Sequence, residues 1–257
     1  MTEQVVTSKV ADGMLSVTIN RAEKRNPLSR AVLDELRRLF EAAAADESLS
    51  CAILRGAGEK TFASGGDLKE LADVKGIIAA RDMAENAKLA LAAVRAFPVP
   101  VVAALNGDAL GGGAELAMAC DMRVAARHAR IGFIQGRLAI SSAWGGGVDL
   151  MRLVGPSLAL QLLARSEVLD APAARQIGLV NAVGDAETSF EATVADFVGP
   201  MQRQSPHVMR AFKALAMPLR IEGRVALDHI ETEHFGMTWA HPDHDAAVEQ
   251  LLDRKVG

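Results

Sequence analysis

Tyrosine is absent from this chain, and cysteine and tryptophan occur only twice each in its 257 residues. Cys51 and Cys120 are too few for a disulfide framework and form no C-x-x-C pair. They point to a reducing compartment and to two small buried apolar side chains. A long basic run is also missing. With a formal net charge of −4 and no tyrosine, the chain offers no nucleic-acid surface. Uninterrupted apolar runs are lacking too: the most apolar stretch, 87–105, is broken by Lys88, Arg95, Pro98 and Pro100 and cannot span a membrane. The start Met1-Thr2-Glu3-Gln4 is polar and acidic, without the features of a secretory signal, so a soluble cytoplasmic protein is expected.

Several chemical signatures are absent as well. The chain has neither the G-x-x-x-x-G-K-[ST] phosphate loop nor a G-x-G-x-x-G turn with its later acid, which removes nucleotide hydrolysis and hydride transfer. Ser141-Ser142 lacks the G-x-S-x-G setting of an esterase nucleophile. His241, Asp243, His244 and Asp245, with His229 and His234 upstream, meet no known ligand spacing. They read as exposed helix-end residues, and no metal is expected.

What is present is a chain half hydrophobic, long enough for a full core. Leu15, Val17 and Ile19 alternate with polar residues as in a half-buried strand, and Asn26-Pro27 marks a turn. Val32, Leu33, Leu36, Leu39 and Phe40 then recur at helical spacing over 31–46, with Ser29 as the N-cap. Residues 51–54, 99–105, 122–126 and 131–134 read as short strands, with a polar helical region over 68–97. The first two-thirds is therefore α/β. Helices are expected over 156–165, 171–177, 188–198, 206–217 and 222–255, the last interrupted near Pro242.

Two glycine-rich turns follow strand ends and precede helices: residues 62–68, Phe-Ala-Ser-Gly-Gly-Asp-Leu, and residues 106–116, which contain Gly111, Gly112 and Gly113. In the first, Asp67 and Glu70 are spaced as an N-cap and its N3 partner. Each turn exposes backbone N–H groups without internal partners, a setting for an anionic oxygen. Taken singly, each is better explained by tight packing of helix on strand with no ligand.

The pair and its surroundings resemble the enoyl-CoA hydratase/isomerase (crotonase) superfamily from end to end. The likeness rests on residues 19–29 (Ile-Asn-Arg-Ala-Glu-Lys-Arg-Asn-Pro-Leu-Ser), on 62–68, on 106–121, on Gly145-Gly146-Gly147 and on 174–183. It implies a spiral of strand–strand–helix units over 1–200, a helical trimerisation region over 201–257, and homotrimers or dimers of trimers. It also implies an acyl-CoA substrate, with coenzyme A part of that substrate and no separate cofactor. By the resemblance Gly66 and Gly112 supply two oxyanion-hole N–H groups, a device worth about 3 to 4 kcal/mol per donor. Ala63, Ser64, Gly65, Asp67 and Leu68 line the adenine and pantetheine path, Lys24 and Arg25 lie near the CoA phosphates, and Lys213 is a further phosphate contact or a plain surface lysine.

Family hydratases hold and split water with two glutamates. Glu115 fills the first position, whereas the second falls on Gln135, which orients water but carries no proton near neutral pH. Water addition with Glu115 as sole proton carrier, double-bond isomerisation with Glu115 as base, and decarboxylation of a malonyl-type thioester all remain open. Residues 133–146 are similar to the ethylmalonyl-CoA decarboxylase branch, and Trp144 within them shapes the acyl pocket or simply fills core. Enoyl-CoA hydratase is the leading reading, and a CoA-thioester-binding subunit without catalysis is the non-enzyme alternative.

Overall fold

A computed structural model describes residues 4–185 and 187–253. Met1, Thr2 and Glu3 of the polar start and Lys255 near the end of the last expected helix lie outside the described residues.

The chain begins with a hairpin of β1 (Val6–Ala11) and β2 (Met14–Ile19), followed by α1 (Arg30–Ala43). Three strand–strand–helix units come next. They are β3 (Cys51–Gly56), β4 (Thr61–Ala63) and the helices α2 (Leu68–Leu71) and α3 (Gly76–Arg95); β5 (Val101–Leu105), β6 (Asp108–Leu110) and α4 (Gly112–Ala119); and β7 (Met122–Ala125), β8 (Arg130–Gly132) and α5 (Gly146–Val154). The remainder is α6 (Pro156–Ala164), β9 (Val168–Asp170), α7 (Ala171–Gln176), β10 (Ala182–Val183), α8 (Phe190–Gln202), α9 (Pro206–Ile221), α10 (Arg224–Trp239) and α11 (Pro242–Asp253). The first strand of each unit enters a six-stranded sheet of order β1-β2-β3-β5-β7-β10, and the second enters a four-stranded sheet of order β4-β6-β8-β9.

Local chemistry explains the early elements. On β2 the alternating Leu15, Val17 and Ile19 are buried at 0–3% exposure, as period two demands. Ser29 Oγ accepts the Val32 N–H at 3.3 Å, a cap worth about 1 kcal/mol. The stripe Val32, Leu33, Leu36 and Phe40 is buried, and Phe40 meets Phe97 edge to face at 5.2 Å. β5 is buried at every position, the pattern of a strand covered on both faces.

Two asparagines fix the crossover from one sheet to the other. Asn26 donates to the carbonyls of Ala57 and Thr61 at 3.0 and 2.7 Å. Asn106 accepts the Gly56 N–H at 3.0 Å and donates to Gly58 O and Thr61 O. Buried amides with several partners set a backbone geometry that an apolar residue cannot. Both belong to the stretches on which the family resemblance rests, and their work is to aim β4.

The strands β1, β6, β9 and β10 are additions to the sequence reading, and of β4 only its end at the first glycine turn was expected. All but β1 have three residues or fewer, too short for a periodic signal, and β1 is an edge strand exposed over most of its length. The expected helical region 68–97 is split into α2 and α3. Pro200, at the expected division, lies inside α8, and Met209, Phe235 and Trp239 join the main core with the strands of the spiral. The Trp239 indole N–H reaches back to Val74 O at 3.1 Å. No helix among the described residues is long and apolar enough to cross a membrane.

Candidate active site

β4 and β6 are parallel neighbours, with Thr61 opposite Asp108 and Ala63 opposite Ala109, so the turns at their carboxyl ends emerge side by side. Contact between them is close. A Cβ built on Gly65 would lie 3.2 Å from Leu110 O and 3.4 Å from Gly112 N, and one on Gly113 would lie 2.0 Å from Ala63 O. Gly111 at φ 55°, ψ −121° occupies backbone space reserved for glycine, and Gly65 has φ 101°. This places Gly112 at the start of α4. Among the described residues neither the Gly66 nor the Gly112 N–H has a hydrogen-bond acceptor. The indole of Trp144 lies against both: Cβ atoms on Gly66 and Gly112 would come 3.7 and 2.3 Å from its ring.

One turn into α4, Glu115 is 2% exposed beside Gly112. Its carboxylate accepts four hydrogen bonds, from Gln135 Nε2 at 2.7 Å and Ala143 N–H at 3.3 Å on Oε1, and from Trp144 N–H at 2.7 Å and Gly146 N–H at 3.1 Å on Oε2. Burial pushes the Glu115 carboxyl up to about 7, the charge of Glu231 adds to the rise, and the Gly146, Trp144 and Ala143 N–H groups oppose it. The result is a carboxyl that exchanges a proton near neutrality, as a general acid–base group requires. Gln135 is 8% exposed, and its Oε1 is buried without a partner. An orphaned buried acceptor costs about 1 to 3 kcal/mol, so this oxygen is available to accept a hydrogen bond from a polar group bound beside Glu115.

A family model for enoyl-CoA hydratase/isomerase matches residues 9–254. The chain belongs to the enoyl-CoA hydratase/isomerase family. It is 34% identical over 259 residues to the 2,3-dehydroadipyl-CoA hydratase of Escherichia coli K12, covering 100% of this chain and 98% of that one. It is 33% identical over 240 residues to the crotonyl-CoA hydratase of Syntrophomonas wolfei, covering 92% of this chain and 90% of that one. A solved enoyl-CoA hydratase/isomerase from Xanthobacter autotrophicus Py2 superposes with a TM-score of 0.86 at 28% identity, over 95% of this chain and 91% of that one. The crotonase fold and enzyme family expected from the sequence are thereby established.

In this crotonase the remaining expected site residues divide. Lys24 and Asp67 line one surface cleft of about 380 Å³, together with Arg21, Glu70 and Ser29; Arg25 is exposed and is not among its walls. Ala63 is fully buried, whereas Ser64, Asp67 and Leu68 are half-buried along the first turn. The expected capping box is corrected: Asp67 makes no side-chain cap and instead pairs with Arg21 at 3.2 Å, while Glu70 accepts the Arg30 N–H at the start of α1. Lys213 is corrected as well. It is not a surface lysine: it is 4% exposed, and its ammonium donates to both oxygens of Asp121 at 2.5 and 2.6 Å, an ion pair within this chain. Likewise His244, expected at an exposed helix end, is buried against the Trp239 ring at 4.3 Å and bonded to Leu138 O. No group of three or more His, Cys, Asp or Glu side chains among the described residues is arranged to hold a metal ion.

Sequence reasoning missed Glu231, Arg224 and Arg95, which surround residues 143–146 from α10 and α3. A signal for the first existed. Glu231 stands four residues before Phe235 and eight before Trp239, so it prolongs the buried stripe of α10 with a charge.

Proposed function

We propose that this crotonase adds water reversibly to a 2-enoyl-CoA, with Glu115 as the one proton carrier. The thioester carbonyl oxygen accepts the Gly66 and Gly112 N–H groups, which stabilise it as it gains enolate character. Glu115 takes a proton from water as the hydroxyl oxygen bonds to C3, and the same proton goes to C2. Gln135 donates to Glu115 through Nε2 and accepts the water's second O–H at Oε1, fixing its orientation. The carrying observation is the buried Glu115 carboxyl, held near neutrality beside an amide whose acceptor oxygen is unclaimed. The hydratase names of the relatives support the same choice.

Double-bond isomerisation is the second reading, favoured by one fact: the side chain bonded to Glu115 is an amide, not a second acid. Incubation of the protein with crotonyl-CoA, a 3-enoyl-CoA and ethylmalonyl-CoA separates the cases. Hydration of crotonyl-CoA is expected, and Glu115→Gln should lower kcat/KM on the order of 10²- to 10⁴-fold. Turnover of the 3-enoyl-CoA alone makes it an isomerase, turnover of ethylmalonyl-CoA alone a decarboxylase, and CoA binding without any turnover a binding subunit. Full activity in Glu115→Gln removes Glu115 as the proton carrier.

On this reading Lys24 and the neighbouring cleft take the CoA phosphates, and no cofactor beyond the substrate's own CoA is needed. The protein works as a homotrimer or dimer of trimers, supported by the exposed apolar residues Phe212, Leu215, Leu219 and Val225 on α9 and α10. A monomer in light scattering at assay concentration would count against it. A cytoplasmic setting is supported by Cys51 and Cys120, both free and buried.

A further inference from the structure

Gly145, Gly146 and Gly147 open α5, and the lack of a side chain at each admits a different polar group. A Cβ on Gly145 would stand 2.3 Å from Arg224 Nη2 and 3.1 Å from Arg95 Nη2. On Gly146 it would stand 2.4 Å from Glu115 Cβ, and on Gly147 it would stand 2.3 Å from Ser142 Oγ and 3.0 Å from Glu231 Oε1. The glycines are there because charged side chains press on the backbone from several sides.

The hydrogen bonds alternate. Trp144 N–H and Gly146 N–H donate to Glu115, while the Gly145 N–H between them donates to Glu231 Oε2 at 2.7 Å. Ser142 Oγ donates to the other Glu231 oxygen at 2.8 Å. The carbonyls are held as firmly: Trp144 O accepts from Arg95 Nη2 at 3.2 Å and Gly145 O from Arg224 Nη2 at 2.9 Å. Asp149 binds both guanidinium groups, at 2.7 Å to Arg95 and 2.6 Å to Arg224. The Glu231 side chain is 8% exposed, and the cation facing it is Lys88 of α3 at 3.5 Å. A carboxylate buried to this degree persists when several donors compensate its lost hydration.

We propose that Glu231 is a positioning residue for the reaction: from α10 it fixes, through the Gly145 amide and the Ser142 hydroxyl, the turn that lays Trp144 against Gly66 and Gly112 and holds Glu115. The inference rests on Glu115 being the proton carrier. Glu231 touches neither the Gly66 nor the Gly112 amide and acts through the turn, whose misplacement by about 1 Å is enough to lose on the order of 10²-fold in rate. Its charge also reaches Glu115. Burial and Asp228 on α10 push the Glu231 carboxyl up, while Lys88, the Ser142 hydroxyl and the Gly145 N–H pull it down. When ionised it opposes ionisation of Glu115, whose other neighbours are the Gln135 amide and backbone N–H groups.

Two variants separate geometry from charge. Glu231→Gln retains an oxygen for the Gly145 N–H and an amide for the Ser142 oxygen but carries no charge, whereas Glu231→Ala removes both contacts. With the CoA substrate turned over by the wild type, Glu231→Ala should lose roughly 10²-fold in kcat/KM. Glu231→Gln should recover at least tenfold of that loss and move the acidic limb of the kcat/KM profile to lower pH, because Glu115 then ionises more easily. An acidic limb unmoved in Glu231→Gln overturns the proposal, as does wild-type turnover in Glu231→Ala. Circular dichroism establishes which variants are folded, and if the Ala variant is not, the Gln profile decides alone. An acidic limb and rate that survive in Glu115→Gln refute the proton-carrier reading instead, so the two failures are distinguishable.

Discussion

The two halves of the site are built in opposite ways. The glycine half is backbone: two turns at the ends of adjacent parallel strands, each free amide supplied within a few residues of its own glycines. The carboxylate half is made of side chains from α4, from residues 135–147 and from α10, joined by a turn whose peptide groups are held by Glu115, Glu231, Arg95 and Arg224. A backbone site needs space, so its weak point is any added atom. A side-chain site needs partners, so its weak point is any removed or altered charge. The glycines and the carboxylates should accordingly fail in different observables.

The largest effects are expected where an atom is added. Gly113→Ala places a Cβ 2.0 Å from the Ala63 carbonyl oxygen, a backbone atom that cannot swing aside. Gly112→Ala places its Cβ 2.3 Å from Trp144 Cζ3, and a side chain can move. Gly113→Ala should thus lower stability by about 3 kcal/mol, a fall in Tm of roughly 6 to 12 °C, and take activity with it. Gly112→Ala should fold, and lose on the order of 10²- to 10³-fold in kcat/KM by displacing the amide and the indole over it. Adding Trp144→Ala to Gly112→Ala should recover part of that loss if the clash is the cause, a coupling that a double-mutant cycle measures. Equal melting temperatures for the two glycine variants would erase the distinction between backbone and side-chain contact at this turn.

A middle-sized effect tests the other half. Gln135→Glu puts a second carboxyl where an amide now donates to Glu115 at 2.7 Å. Two carboxyls at that separation do not both ionise readily, and the pair then titrates together. The direction follows: Glu115 sits at about 7 beside an amide, and beside a like charge it is pushed higher. Since the ionised form is the base, the acidic limb of kcat/KM should move to higher pH in Gln135→Glu, opposite to its movement in Glu231→Gln. Both shifts are read from the same pH profile. A limb that stays in place would mean that residue 135 does not touch the carboxyl in solution.

The same division governs what could be read from the residues alone. The two glycine turns were legible because a glycine turn between strand and helix is a local statement about backbone, complete within a dozen residues, whereas the roles of Gly66 and Gly112 came from the family resemblance. Glu115 and Gln135 were found by the same resemblance, as the residues standing at the two glutamate positions of the family's hydratases. Glu231 was not legible as a site residue, since its partners Gly145 and Ser142 lie in another part of the chain and only the folded contact of α10 with α5 brings them together. Lys213 failed for a related reason: an isolated lysine reads as surface, and its burial is decided by Asp121 from a different unit. The spiral itself was read in outline, but β4 and β6, the strands that place both turns, are three residues long and carry no period.

The smallest expected effect lies at the edge of the glycine half, where the residue pattern and the structure disagree about Asp67. Its spacing to Glu70 suggests a capping box for α2, and loss of such a cap costs about 1 kcal/mol whatever its neighbours do. In the structure the Asp67 carboxylate faces Arg21 at 3.2 Å, with side chains 19% and 14% exposed, and caps nothing. A partly exposed pair of this kind is worth under about 1 kcal/mol, because water and salt screen most of the attraction. Asp67→Ala, Arg21→Ala and the double variant form a cycle in urea unfolding that tells the two apart. With an ion pair the two single losses are similar and the double variant costs less than their sum, by an amount that shrinks at high salt. With a cap, Asp67→Ala keeps its full cost in the Arg21→Ala background and salt changes nothing.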